Sequence, residues 1–285
     1  MEQARELRAR ALSRAELAGE PQVERVVVLA DLQIPYDNEP AVSAAMAYIH
    51  DSQPDKVILL GDILDFPSFT TKFARKNADP YEVLTQIEQG AEVISRVHRS
   101  APRADIVFVE GNHEARLANY IVECAPELSA LTEHNQPLSV PALLVQCGAP
   151  NRFDYVGPYS EPYIHNSFVF KHGEAVGVYP ARKELDMEGS SGMSGHVHRF
   201  QQYSRTDRSG AHTWHTIGAL CNVSGPDTPP SYLKGRNRLH NWQQGFATVF
   251  FSPNGTFNVY PTVIIDGHFT SPDGILYGPD GAVLA

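Results

Sequence analysis

Five short stretches of the chain carry side chains able to hold cations and move protons. They are "DLQ" with Asp31 and Gln33, "GDILD" with Asp62 and Asp65, "EGNHE" with Asn112 and His113, "HG" with His172, and "SGHVH" with His196 and His198. Mixed carboxylate, imidazole and amide donors suit manganese, iron, cobalt, nickel or zinc better than magnesium or calcium. A carboxylate at the end of an apolar run is costly to desolvate unless something positive compensates it. Each stretch also has an ordinary reading. A lone Asp after a strand caps a helix, "GNHE" makes a turn, and a His pair packs across strands. Five in order, each following an apolar run, argue instead for one shared centre.

The elements that must position them read as an alternation. Val26 to Ala30, Val57 to Leu60 and Ile106 to Val109 are strands. Between and after them lie helical patterns. Asn38 caps one, with Pro40 in its first turn and Val42, Ala45, Met46 and Ile49 as its inner stripe. Asp79 and Pro80 open a second, with Val83, Leu84, Ile87, Ala91 and Ile94 facing inward, and a third runs from about Glu114 to Cys124. Strand, helix, strand, helix, strand implies parallel pairing with right-handed crossovers. Ligands of such sheets bind beyond the carboxyl ends of the strands, where the five stretches fall.

The second half reads differently. Residues 135–163, with Pro137, Pro141, Pro150, Pro158 and Pro162, read as loop with short strands. Ser167 to Lys171 is a strand. Two hairpins follow, one turning near Asp207 to Gly210 and one at Asn254-Gly255. In "HVH" an extended chain would put both imidazoles on one face, with Gly195 allowing close backbone approach. Residues 1–20 read as a helical extension, with Ala4, Leu7, Ala11, Ala15 and Ala18 at helical spacing, a candidate contact to a second copy of the chain. Residues 21–265 form the main domain. Residues 266–285, with Asp-Gly three times, read as a peripheral tail of tight turns.

Composition narrows the class. With 285 residues, 42% of them apolar and 20% charged, the chain is an ordinary globular protein. A formal net charge of −10 gives no general grip on nucleic acid, whose backbone must be met by clustered Lys and Arg. Arg199, Arg205, Arg208, Lys234, Arg236 and Arg238 are the local exception, and a solvated hairpin and loop accounts for them. Cys124, Cys147 and Cys221 are too widely spaced for a disulfide framework or zinc motif. With no signal-type apolar core and no membrane-length run, the expected location is cytoplasmic, with no membrane partner.

The order Asp, GDxxD, GNHE, HG, GHxH resembles the calcineurin-like metallophosphoesterase superfamily, from Asp31 to His198 and, with the later hairpins, over most of the chain. The resemblance implies an α/β fold: a four-layer α-β-β-α sandwich of two mixed sheets flanked by helices. It also implies two divalent transition-metal ions, manganese first among the candidates. Asp62 would bridge them, Asp31 and His198 would bind the first, and Asn112, His172 and His196 the second. A bridging hydroxide would attack phosphorus in line. His113 would bind phosphate or protonate the leaving oxygen, and Asp65 would hold its ring.

Gln33 departs from the family, whose first motif is Asp-x-His. Its amide oxygen is a neutral and poorer donor. It would ligate the first ion, hold a water on it, or mark a weak first site. Phe66 and Pro67 after GDILD, and Glu110 before GNHE, differ from the Arg-Gly and Arg of the superfamily's protein phosphatases. The layout looks more like that of small bacterial and phage members. Arg116, three residues after His113, would reach phosphate or form a surface ion pair. The segment 231–246, with Lys234, Arg236, Arg238, His240 and Trp242, reads as a loop, with a substrate lid as the lesser view. The expected activity is a metal-dependent phosphodiesterase or phosphatase on nucleotide-like esters. A nuclease is the runner-up. A non-catalytic scaffold, as in a retromer subunit that kept the fold, ranks below both because His113 is present.

Overall fold

The computed structural model describes residues 22–69, 82–133, 136–224, 241–281 and 283–284. The expected helical extension over 1–20, the Asp79-Pro80 helix start, and Lys234, Arg236, Arg238 and His240 lie outside them.

The first half alternates as its periodicity requires. β1 (Glu24–Leu29), α1 (Glu39–Ser52), β2 (Lys56–Leu59), α2 (Glu82–Ser100), β3 (Asp105–Val109) and α3 (Ala115–Cys124) follow in order, then α4 (Val140–Gln146) and β4 (Asp154–Val156). The Asn38 side chain accepts from Ala41 N at 3.0 Å, satisfying one of the amides that open α1. β1, β2, β3 and β4 pair in parallel, and β10 (Gly245–Phe251) and β11 (Phe257–Val263) extend the sheet antiparallel from β1. A second sheet has the order β5 (Tyr163–His165), β6 (Phe168–Lys171), β7 (Gly192–Ser194), β9 (Gly210–Thr216), β8 (Gln201–Asp207). It is also mixed, since β7 runs parallel to β6 and β9 while β5 and β8 pair antiparallel to β6 and β9.

Side-chain alternation assigns the layers. Val26, Val28, Ala30, Ile58, Leu60, Val107 and Val109 point toward the second sheet, against Phe168, Phe170, Met193 and Ile217. Val27, Leu29, Val57, Leu59, Ile106 and Phe108 point the other way, under α1 and α2. Strands buried on both faces need no polar alternation, which is why they read as unbroken apolar runs. α5 (Pro180–Glu188) covers the outer face of the second sheet, with Ala181 and Leu185 on Val169 and Trp214. Helices, sheet, sheet and helix make the four-layer sandwich.

Three expectations change. Residues 135–163 contain α4 as well as loop, because Pro141 sits in its first turn, where no amide donor is needed. α5 was legible and not anticipated: Pro180 opens it and Gly189, at φ 67°, closes it. Within residues 266–285, the described segment 266–281 is not peripheral. Its Asp-Gly pairs do turn, but Phe269 and Tyr277, on short strands β12 (Phe269–Thr270) and β13 (Leu276–Tyr277), bury their rings against Tyr48. β14 (Val283–Leu284) completes this small sheet. The aromatic spacing across a turn decided this, a signal that turn composition hides.

Candidate metal-binding active site

Every motif residue follows the carboxyl end of a strand, and the parallel order of β1, β2 and β3 and of β6 and β7 puts those ends on one side. Asp31 and Asp62 come from the first sheet, His172, His196 and His198 from the second. The loops are tight. Asp31, Gln33, Asp62, His196 and His198 all have φ between 52° and 68°. Such backbone costs of order 1–3 kcal/mol per residue and persists where the surroundings over-determine it, commonly at functional sites. A Cβ on Gly195 would stand 2.5 Å from Asp31 Oδ2, so only glycine lets this loop close on β1. His196 and His198 are therefore not neighbours on an extended strand. They sit on a turn in which Val197 N bonds Gly195 O at 2.8 Å and His196 N donates to Asp31 Oδ2 at 3.0 Å.

The side chains converge. His172 Nε2 lies 3.1 Å from Asp62 Oδ2 and 4.0 Å from Asp31 Oδ1, and His198 Nε2 lies 3.1 Å from Asp31 Oδ1. Donor atoms of Asp62, His172 and His196 all fall within 4.8 Å of one another. Gln33 is fully buried beside them and donates from Nε2 to Asp62 Oδ2 at 3.0 Å. Asp31 Oδ1, Gln33 Oε1, Asn112 Oδ1, His172 Nε2 and His196 Nδ1 are buried without a hydrogen-bonding partner. His172 Nε2 faces Asp62 Oδ2, and Asp31 Oδ1 faces His198 Nε2, each across 3.1 Å without hydrogen-bond alignment. Orphaned buried polar atoms are costly singly. Five of them on one side of the sheets, all oxygen or imidazole nitrogen, fit cations.

Electrostatics point the same way. Burial pushes the Asp62 carboxyl up, but the His113 and His172 rings outweigh it and hold it well below the usual carboxylate range. Burial lowers His172, and the Asp62 charge more than reverses this, to about 9. His198 is raised likewise, burial being overridden by Asp31. His196 is pushed down to about 4 by burial and then by His172, leaving a neutral ring.

His113 stands beside this cluster, fully buried, with Nε2 3.6 Å from Asp62 Oδ2. Its Nδ1 lies 3.0 Å from the Asp65 carbonyl and 2.8 Å from Asp65 Oδ1. Arg116 donates to the same carbonyl at 2.6 Å, and its Nη2 lies 2.9 Å from His113 Nε2. Nδ1 is then the protonated nitrogen and Nε2 the acceptor, a tautomer assigned from these partners. Arg116 is thus no surface ion pair. It clamps the histidine.

Sequence reasoning missed Glu114, although it stands in "GNHE". Its carboxylate accepts from Asp62 N at 2.9 Å, Leu64 N at 2.8 Å and Gly111 N at 2.9 Å, pinning the loops after β2 and β3 to each other. Also missed were Cys221, whose Sγ is 3.9 Å from His198 Nδ1, and the ring of Tyr159, 6.0 Å from that of His172. Trp242, read as part of a loop, packs on His198 at 4.4 Å between ring centroids. Glu110, noted as a departure, accepts from Tyr155 OH and Tyr159 N at 2.8 and 3.1 Å, fixing the loop that carries Tyr159.

The sequence model of the calcineurin-like phosphoesterase family matches residues 24–281. The gene 54 protein of Mycobacterium phage D29 is 29% identical over 269 residues, 88% of this chain and 97% of that protein. The gene 54 protein of Mycobacterium phage L5 is 29% identical over 242 residues, 79% of this chain and 88% of that protein. Among solved structures, vacuolar protein sorting 29 from Cryptosporidium parvum aligns with a TM-score of 0.40 at 11% identity, covering 84% of this chain and 96% of that one.

Proposed function

The chain belongs to the calcineurin-like phosphoesterase family, a family of metal-dependent hydrolases of phosphoric esters, and from that premise we propose that it cleaves nucleotide-like phosphate esters, diesters before monoesters. The observation that carries the reading is the set of five orphaned donor atoms beside a buried, clamped histidine. In this reading Asp31, Gln33, Asp62 and His198 would hold one cation, and Asp62, Asn112, His172 and His196 a second. Manganese suits this mixed donor set. Bound divalent ions lower the pKa of water toward neutrality and neutralise charge on phosphoryl oxygens.

The chain's own residues do the rest. His113, held by Asp65 through Nδ1, takes a proton from solvent at Nε2 once Arg116 leaves that nitrogen, and passes it to the leaving oxygen. Arg116, already 2.9 Å from that nitrogen, turns to a phosphate oxygen when substrate enters. Phe66, Pro67 and Glu110 stand where protein phosphatases of the superfamily carry Arg and Gly, which supports a small substrate over a phosphoprotein. The net charge of −10 supports a short nucleotide ester over long nucleic acid.

The test is hydrolysis of bis(4-nitrophenyl) phosphate and 4-nitrophenyl phosphate with added manganese. Wild type is expected to cleave the diester faster. His113→Ala is expected to lose roughly 10²–10⁴-fold in rate while still binding manganese. Faster monoester cleavage would make the protein a phosphatase. Tight, steeply salt-dependent binding of DNA would make it a nuclease. Manganese bound with neither ester cleaved would sink the nucleotide-ester reading.

A further inference from the structure

The phenol of Tyr159 joins the two sheets. Tyr159 follows β4 of the first sheet, and its hydroxyl donates to the carbonyl of Gly173, just after β6 of the second, at 2.5 Å. Gly173 is the residue after His172, whose Nε2 is one of the orphaned donors. The tyrosine ring also lies against that imidazole, with 6.0 Å between centroids and 59° between planes. One side chain thus meets both the ring of His172 and the backbone that carries it.

Tyr159 is itself held. Its N–H donates to Glu110 Oε1 at 3.1 Å, while Glu110 Oε2 accepts from the hydroxyl of Tyr155, on β4, at 2.8 Å. Glu110 stands directly after β3 and two residues before Asn112. A line of hydrogen bonds therefore runs from Glu110 through Tyr159 to the turn at His172 and Gly173. Its two ends adjoin Asn112 and His172, donors from different sheets assigned above to the same cation. Neither Glu110 nor Tyr159 is among the orphaned donors.

The other ties of this turn do not fix that span. Gly195 N donates to His172 O at 2.9 Å, and the Glu184 carboxylate accepts from Glu174 N and Ala175 N, all within the second sheet and its helix. His172 Nδ1 donates to Leu60 O at 2.9 Å, which turns Nε2 toward the cluster but holds the ring by one atom. Gly173, at φ 108°, has no side chain to brace the turn.

We propose that Glu110 and Tyr159 are positioning residues of the phosphoesterase centre, a strut between the sheets that sets His172 against Asn112 and so the affinity and geometry of the cation they share. The inference rests on the two-cation reading of the cluster. A strut of this kind acts through His172, which a bond that only closes a loop does not.

Manganese titrated calorimetrically into wild type, His172→Ala and Tyr159→Phe tests it. His172→Ala identifies the binding step that depends on this imidazole. Tyr159→Phe keeps the ring and removes the hydroxyl. It is expected to weaken the same step about 10- to 100-fold, the usual effect of losing an outer partner of a metal ligand, and to leave the other step within about twofold. Added to His172→Ala, Tyr159→Phe is expected to change manganese affinity no further, because two residues acting by one route are not additive. Glu110→Ala is expected to repeat the Tyr159→Phe loss. Glu110→Gln, whose amide can accept from Tyr159 N and donate to the Tyr155 hydroxyl, is expected to restore most of it. Cobalt gives a readout without turnover, since the visible bands of the cobalt-loaded protein report ligand geometry and are expected to shift in Tyr159→Phe. Equal weakening of both steps, or the same loss with and without His172, would overturn the strut while leaving the phosphoesterase reading intact. Wild-type affinity for both ions with an unchanged cobalt spectrum in Tyr159→Phe would overturn it as well. No manganese bound by wild type would remove the two-cation reading and the strut together.

Discussion

Gln33 puts a neutral amide where the family carries imidazole. Its Nε2 is bound to Asp62 and its Oε1 faces inward without a partner, so the amide is positioned to give oxygen to an ion but with less donor strength than a ring nitrogen. Gln33→His is expected to tighten one manganese ion and leave the other unchanged, read by calorimetric titration. Two equally tight ions in the wild type would contradict a looser first site. Glu114 works at the same scale without touching a reacting group. Three backbone N–H groups on two loops end on its carboxylate. Leaving buried donors unpaired costs about 1–3 kcal/mol each, so Glu114→Ala is expected to lose several kcal/mol of stability in urea unfolding, with manganese affinity falling in parallel. A loss within about 0.5 kcal/mol, the range of an ordinary surface change, would show that the loops hold themselves.

At the scale of elements, α5 is tied to β6 by one buried cation. Lys171, next to His172, lies 3.0 Å from Glu184, 2.8 Å from Glu188 and 3.4 Å from Glu174. Glu184 in turn accepts from Glu174 N and Ala175 N at 2.7 and 2.6 Å, which fixes the chain just after His172. Burial lowers the Lys171 pKa, but the carboxylates more than compensate and raise it from 10.5 to about 12. A raised lysine contributes stability that is complete below the ordinary value and lost as pH climbs through the shifted one. The stability advantage of wild type over Lys171→Met is therefore expected to be constant up to about pH 10.5 and to shrink toward pH 12, followed by urea unfolding across that range. An advantage that does not change with pH would mean that Lys171 contributes through packing of its stem.

For the whole molecule, the centre is a joint between two sheets that share one apolar core. Cations that bind only the folded state stabilise it by mass action, about 2.7 kcal/mol at a hundred times the dissociation constant. Tm is thus expected to rise with manganese and fall on chelation, and a Tm indifferent to both would argue against metal in this cluster. Among the described residues no helix is long and apolar enough to cross a membrane. The sequence by itself determined what depends on neighbours along the chain. Val26 to Ala30, the Asn38 cap and the Asn254-Gly255 turn follow from strand burial, an orphaned amide and a positive-φ glycine. The fixed order of motifs also named the candidate donors, because each must follow its own strand. Only the tertiary structure decided what depends on distant segments. Glu114 binds across to the loop after β2, Trp242 lies on His198, Phe269 and Tyr277 pack on Tyr48, and His196 and His198 turn rather than extend. Local sequence limits the backbone to a few conformations. Which polar atoms then meet is set by the packing of two sheets, a free energy summed over the whole core and written in no single stretch.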